Sequence, residues 1–155
     1  MTNFDENWDR WCKISFLKHF EDGKGDTSVY AEGFTRDTDH TMDYLELRVD
    51  GPDTQELSKG KWRLYFEVNV LCVAKMTEDA YRINRLTGRV SKLFTDCIHV
   101  RKHGIDAVDD ETVIGCLRLV PLLRERVRTT HFGRIRPDTE IIQASVEGHY
   151  EIFFD

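Results

Sequence analysis

The sequence predicts a single α+β domain over residues 1–155, with a mainly antiparallel sheet, a long β-hairpin and two helices packed on one face. Three observations lead to this prediction. Apolar residues recur at helical spacing in two segments, and in several others they alternate with polar residues, as strands require. The chain of 155 residues is 40% hydrophobic and 32% charged, which is typical of a folded domain. Because the strands come in groups between the helices, both helices are expected on one side of one sheet.

The first predicted element is a helix over residues 5–20. Phe4, Trp8, Trp11 and Cys12 lie on one side at helical spacing. Acidic residues occupy the first turn, where their negative charge interacts favourably with the helix dipole. An aromatic stripe of this kind indicates a face buried in the core.

A hairpin is predicted from two alternating segments that follow a short strand over 28–34. Residues 44–50 alternate between apolar and polar, and Gly51-Pro52 is expected to end that strand. Residues 61–74 carry the strongest strand pattern in the chain. At about 3.3 Å per residue this strand extends about 46 Å, whereas a usual strand has about 5–6 residues. We therefore expect it to project beyond its own core and to pair with the preceding strand.

The second half of the chain combines a helix with further strands. The helix is predicted over 78–94, because its apolar residues again form one stripe. Strands are predicted over 97–102, 112–120 and 140–154. Gly148 falls in the apolar register of the last strand and is expected to mark a bulge.

A search for chemistry finds no phosphate-binding loop, nucleophile elbow or zinc-protease motif. Three acids and His40 within residues 35–43 could be drawn as metal ligands, but their spacing is not that of a calcium loop. Glu147, His149 and Glu151 share one face of the last strand. They could form an acid–base cluster, but an exposed sheet face produces the same pattern, and we favour that interpretation. The sequence therefore predicts no enzyme, no catalytic residue, no metal site and no cofactor.

The four cysteines stand at positions 12, 72, 97 and 116, without a closely spaced pair. Zinc sites need such pairs. We therefore expect four small buried hydrophobic residues in a reducing compartment.

The charge distribution singles out residues 118–136. They hold six arginines and a single acid, Glu125, which gives +5 in a chain whose net charge is −6. The alternation within this segment predicts a hairpin with arginines on one face. The hairpin is either simply solvated or a surface for a partner, since guanidinium groups suit carboxylates and phosphates alike. The candidate interface residues here are Arg118, Arg124, Arg126, Arg128, Arg134 and Arg136.

The order of elements resembles that of a known family. An amphipathic helix and a short strand precede a hairpin (LELRVDGP…SKGKWRLYFEVNVLCVA), a second helix follows, and the last strand ends in VEGHYEIFF. This layout is similar to that of the tail terminator, or tail completion, proteins of long-tailed phages. The extra stretch over about 104–137 departs from the simplest members.

The resemblance implies a virion structural protein of the tail or neck, assembled in the host cytoplasm. It implies a homo-oligomeric ring, expected to be hexameric, that caps the tail tube and joins the tail to the head connector. The tail tube protein and a connector or neck protein would be its partners. DNA would pass through the ring without sequence-specific binding, and no membrane would be involved. The hairpin loop over 51–60 would serve subunit and tube contacts, which adds four candidate residues: Asp53, Gln55, Glu56 and Lys59.

Three alternatives remain open. The chain could be another phage neck or tail-tube-associated protein. It could be a cavity-forming α+β domain for a small ligand, as the aromatic residues Trp8, Trp11, Trp62 and Phe66 suggest. It could also bind nucleic acid through the arginine segment, although aromatic residues for base stacking are scarce there.

Overall fold

The computed structural model describes residues 6–23, 25, 27–31, 43–74, 81–102, 112–134 and 141–154. Residues 35–42, which hold His40 and two of the three acids noted above, and Arg136 lie outside these ranges. The helices are α1 (Trp8–Asp22) and α2 (Arg82–Leu93). The strands are β1 (Ser28–Ala31), β2 (Asp43–Ser58), β3 (Lys61–Ala74), β4 (Cys97–Arg101), β5 (Val113–Val120), β6 (Arg128–Arg134) and β7 (Ile142–Phe154).

The described strands form one sheet in the order β1-β2-β3-β7-β5-β4, with β6 also paired to β7. The α+β class with two helices is confirmed, but the sheet is mixed because β1 runs parallel to β2. β2 and β3 pair antiparallel around a two-residue turn at 59–60. They do not stand apart as a hairpin, since β3 pairs with β7 along almost its whole length.

The core lies between the sheet and both helices. Phe16 of α1 is fully buried, with its ring centroid 5.5 Å from that of Phe66 on β3 and 5.4 Å from that of Tyr150 on β7. Phe20 of α1 and Phe94, directly after α2, meet in the same cluster with centroids 5.2 Å apart. The apolar residues that alternate along the long strands form the sheet side of this core, as the sequence pattern predicts.

Two details of the strands differ from the prediction. β2 does not end at Gly51-Pro52 but resumes its pairing at Asp53, after a register shift. Gly148 forms no bulge, because it pairs in unbroken register with Val68. A Cβ atom at Gly148 would lie 2.5 Å from the Phe94 ring, so the glycine instead makes room for a core aromatic.

The cysteines divide into two pairs. Cys97 and Cys116, on the adjacent strands β4 and β5, form a disulfide bond, and Cys97 is exposed, so the prediction of four small buried hydrophobic residues is wrong for this pair. Cys12 and Cys72 are free and buried, as predicted. Burial raises the pKa of the Cys72 thiol to about 12, and a protonated thiol is a poor nucleophile.

Neither α1 nor α2, nor any other helix in the described ranges, is long and apolar enough to cross a membrane.

Candidate functional site

The outer edge of β2 is largely open. β1 pairs only with Tyr44–Leu47, and no other described strand adjoins the remaining part of that edge. The distal part of β2 is exposed, as is Lys59 in the turn that follows. Asp53, Gln55 and Glu56 all lie on this edge strand, and in the described part of the chain neither of the two acids forms an ion pair. This segment is called the acidic edge below, and comprises residues 53–58.

A second open edge belongs to β6. Among the described strands it pairs with β7 alone, and all seven of its residues are exposed. Arg128, His131 and Arg134 make it basic, and it contains no acid. Phe132, also on this strand, is 58% exposed, an unusual position for a large aromatic side chain. Residues 128–134 are called the basic edge below.

The arginine segment does not form the predicted hairpin. The chain turns tightly at Leu122–Glu125, with Leu123 at a φ of 39°. On the edge of β7 that faces away from β3, β5 pairs only with Tyr150 and the residue on each side of it. The preceding part of this edge is therefore open to another strand. β6 pairs there and satisfies its backbone hydrogen bonds on β7.

The predicted interface arginines are therefore spread over several elements. Arg118 is exposed on β5, and Arg124 is exposed in the turn. Arg126 pairs with Asp96, and Nε of Arg128 lies 3.5 Å from Oε2 of Glu125. Both pairs are exposed, and such pairs contribute little to stability. The arginines thus remain accessible to a partner.

A cluster of polar side chains occupies the outer face of the sheet, away from the core. Glu67 on β3 lies directly across from His149 on β7, and Glu147 precedes His149 by two positions on the same face. One ligand atom from each of these three residues lies within 4.8 Å of the other two. We call Glu67, Glu147 and His149 the carboxylate–histidine cluster.

Hydrogen bonds fix the imidazole of this cluster. The Tyr65 hydroxyl bonds Nδ1 of His149, and Nε2 lies 3.0 Å from Oε1 of Glu147. Burial, and then the Glu67 carboxylate, raise the pKa of Tyr65. The phenol is therefore protonated at neutral pH and donates to Nδ1, so that the Nε2–H group donates to Glu147.

Glu151 does not belong to this cluster, although the sequence pattern grouped it with His149. It forms an ion pair with Arg63, in which Nη2 lies 2.7 Å from Oε2. The Arg63 guanidinium also lies over the Tyr65 ring, 4.7 Å from its centroid. The prediction missed Glu67, because only the register of β3 against β7 brings it to His149.

A cleft of about 390 Å³ lies between α1 and β4. Polar and charged side chains contribute much of its lining, among them Lys18, His19 and Arg101. The aromatic residues Trp8, Trp11 and Phe66, which suggested a ligand cavity, are instead packed in the core.

Comparisons with known proteins identify a fold but no family. No family model and no curated protein matches this chain. Among solved structures 11 chains match. One of them, known by a sequence identifier in place of a functional name, superposes with a TM-score of 0.54 over 93% of this chain and 94% of its own. At 13% identity, this likeness shows a shared fold alone.

Proposed function

We propose that this chain is a ring-forming tail terminator of a long-tailed phage. In this role it caps the tail tube, ends tube polymerisation and joins the tail to the head connector. The observation that carries the proposal is the presence of two open strand edges of opposite charge on one sheet. The layout of the long strands, which is similar to that of tail terminators, supplies the specific function.

Open edges expose backbone donors and acceptors that pair readily with another strand. The acidic edge holds Asp53 and Glu56, and the basic edge holds Arg128 and Arg134. Leu57 on the first edge is 49% exposed and Phe132 on the second is 58% exposed, so apolar contacts accompany the charges. We therefore propose that the acidic edge of one copy binds the basic edge of the next copy.

Such a contact joins two different surfaces, and a head-to-tail contact closes into a ring when its rotation permits. Lys59, in the turn that follows the acidic edge, is exposed in each subunit. In a ring these turns form a rim, which we assign to the contact with the tail tube. The arginine side chains outside the subunit contact, Arg118 and Arg124, are left for the connector or neck protein.

Electron microscopy of tail tubes tests this function. Tube protein assembling in the presence of the chain is expected to give short tubes that carry extra density at one end. Tubes assembling alone should grow without a length limit, because nothing occupies their growing end. A matched control uses a variant that cannot form the ring, described in the Discussion, and this variant should leave tube length unchanged.

Two outcomes would contradict the proposal. Tubes of unchanged length with bare ends would exclude a terminator. Rings that decorate the sides of tubes, or that bind only a neck protein, would assign the chain to another position in the virion.

A further inference from the structure

The carboxylate–histidine cluster offers a donor set that the assembly function does not use. Two carboxylates and one imidazole meet on the exposed face of the sheet, on adjacent strands β3 and β7. We propose that Glu67, Glu147 and His149 bind a divalent transition metal ion such as Zn²⁺. This mixed nitrogen and oxygen set suits zinc and related ions better than magnesium or calcium, which prefer oxygen alone.

Distance supports the assignment. Donor atoms lie about 2.0–2.2 Å from a zinc ion, so two donors on one ion are at most about 4.4 Å apart. The three ligand atoms already lie within 4.8 Å of one another. Small rotations of the two glutamate side chains close the difference, and neither rotation moves the backbone of the sheet.

Charge supports it as well. Glu67 and Glu147 place two carboxylates side by side, and like charges at this distance repel each other. Two arginines lie on strands beside the cluster: Arg63 on β3 is engaged by Glu151, and Arg128 on β6, opposite Glu147, pairs with Glu125. In the described part of the chain, Glu67 forms no ion pair, and the hydrogen bond from His149 is the contact that Glu147 makes. A bound dication would neutralise both carboxylates.

The histidine is also held in the orientation that a ligand needs. Metal-bound imidazoles commonly donate their second N–H to a neighbouring oxygen, which fixes the ring. Here the Tyr65 hydroxyl is bonded to Nδ1, so Nε2 faces the carboxylates. On metal binding the single imidazole proton moves from Nε2 to Nδ1 through solvent, Nε2 becomes free for the ion, and Nδ1–H donates to the Tyr65 oxygen.

Three protein ligands leave a fourth position of a tetrahedral ion open. The side chain of His149 is 14% exposed and that of Glu147 is 31% exposed, so water or a group from a partner reaches that position. The cluster lies on the outer face of the sheet, whereas the assembly contact uses the edges. Arg128 of the basic edge lies opposite Glu147, so metal binding is measured on chains whose edge residues are unchanged.

Isothermal titration with ZnCl₂ tests the site on the full chain, supported by the visible spectrum of bound Co²⁺. One ion per chain is expected, and His149→Gln should weaken binding at least tenfold. Glu67→Gln should do the same, and because Glu67 is exposed this second variant keeps its fold. Tyr65→Phe, which removes only the oxygen that holds the ring, should weaken binding about tenfold.

Glu151→Gln is the matched control. It removes an acid from the same face of the same strand, but one that Arg63 already holds. Binding within threefold of the unchanged chain is expected for this variant. Zinc binding that is undiminished in both Glu67→Gln and His149→Gln would overturn the proposal, and so would the absence of zinc binding to the unchanged chain.

Discussion

Replacing Phe16 by alanine is expected to lower the free energy of unfolding by about 3–5 kcal/mol, because it leaves a cavity in the core. The Phe16 side chain is fully buried and lies between Phe66 and Tyr150. It therefore joins α1 to the two central strands of the sheet. The net stability of a folded domain is only about 5–15 kcal/mol, so this loss is a large fraction of it. Urea denaturation followed by circular dichroism measures the effect.

Phe153→Ala is the control for this change. It removes the same side chain from β7, but from a position that is 51% exposed. Its effect should stay below about 1 kcal/mol, since a surface substitution creates no cavity. Equal losses for both variants would mean that Phe16 does not occupy the core as described.

Reversing the charge of the basic edge is expected to dissociate the ring. In the double variant Arg128→Glu and Arg134→Glu, acids would face Asp53 and Glu56 of the neighbouring copy. Like charges placed against each other cost several kcal/mol, so the dissociation constant of each contact should rise about 100-fold or more. Light scattering after size exclusion measures the mass, and circular dichroism checks that the subunit stays folded.

Rescue makes this test specific. Asp53→Lys and Glu56→Lys alone should also dissociate the ring, and combining all four changes should restore it, because the two charges are then exchanged. A control with the same change in charge, Arg85→Glu and Lys92→Glu, alters exposed positions of α2, away from both edges. Dissociation by this control, or failure of the combined variant to reassemble, would contradict the assigned contact.

Alternation on a long strand is what made much of the fold predictable. β3 was predicted over the residues that it occupies, because fourteen residues of regular alternation leave one register for burial. The two helices were predicted from their apolar stripes. β2 was predicted too short, since a Gly-Pro pair usually ends a strand. Here Gly51-Pro52 lies at a register shift within the strand.

Long-range pairing is what the sequence could not show. β6 is exposed on every residue, so no apolar alternation marks its position beside β7. For the same reason, the sequence did not show that Glu67 lies beside His149 or that Cys97 lies beside Cys116. Each pair depends on the register between two strands, and a single sequence does not contain that register.

We propose that opposite open edges join copies of this chain into a ring. The mass of the unmodified protein in solution, measured by light scattering at low salt, tests it most directly. We predict a discrete closed assembly, with six times the 18.2 kDa of one chain as the expected mass. We also predict that this mass falls as salt screens the edge charges. A monomer of 18.2 kDa at every concentration and salt level, with tail tubes present or absent, would contradict it.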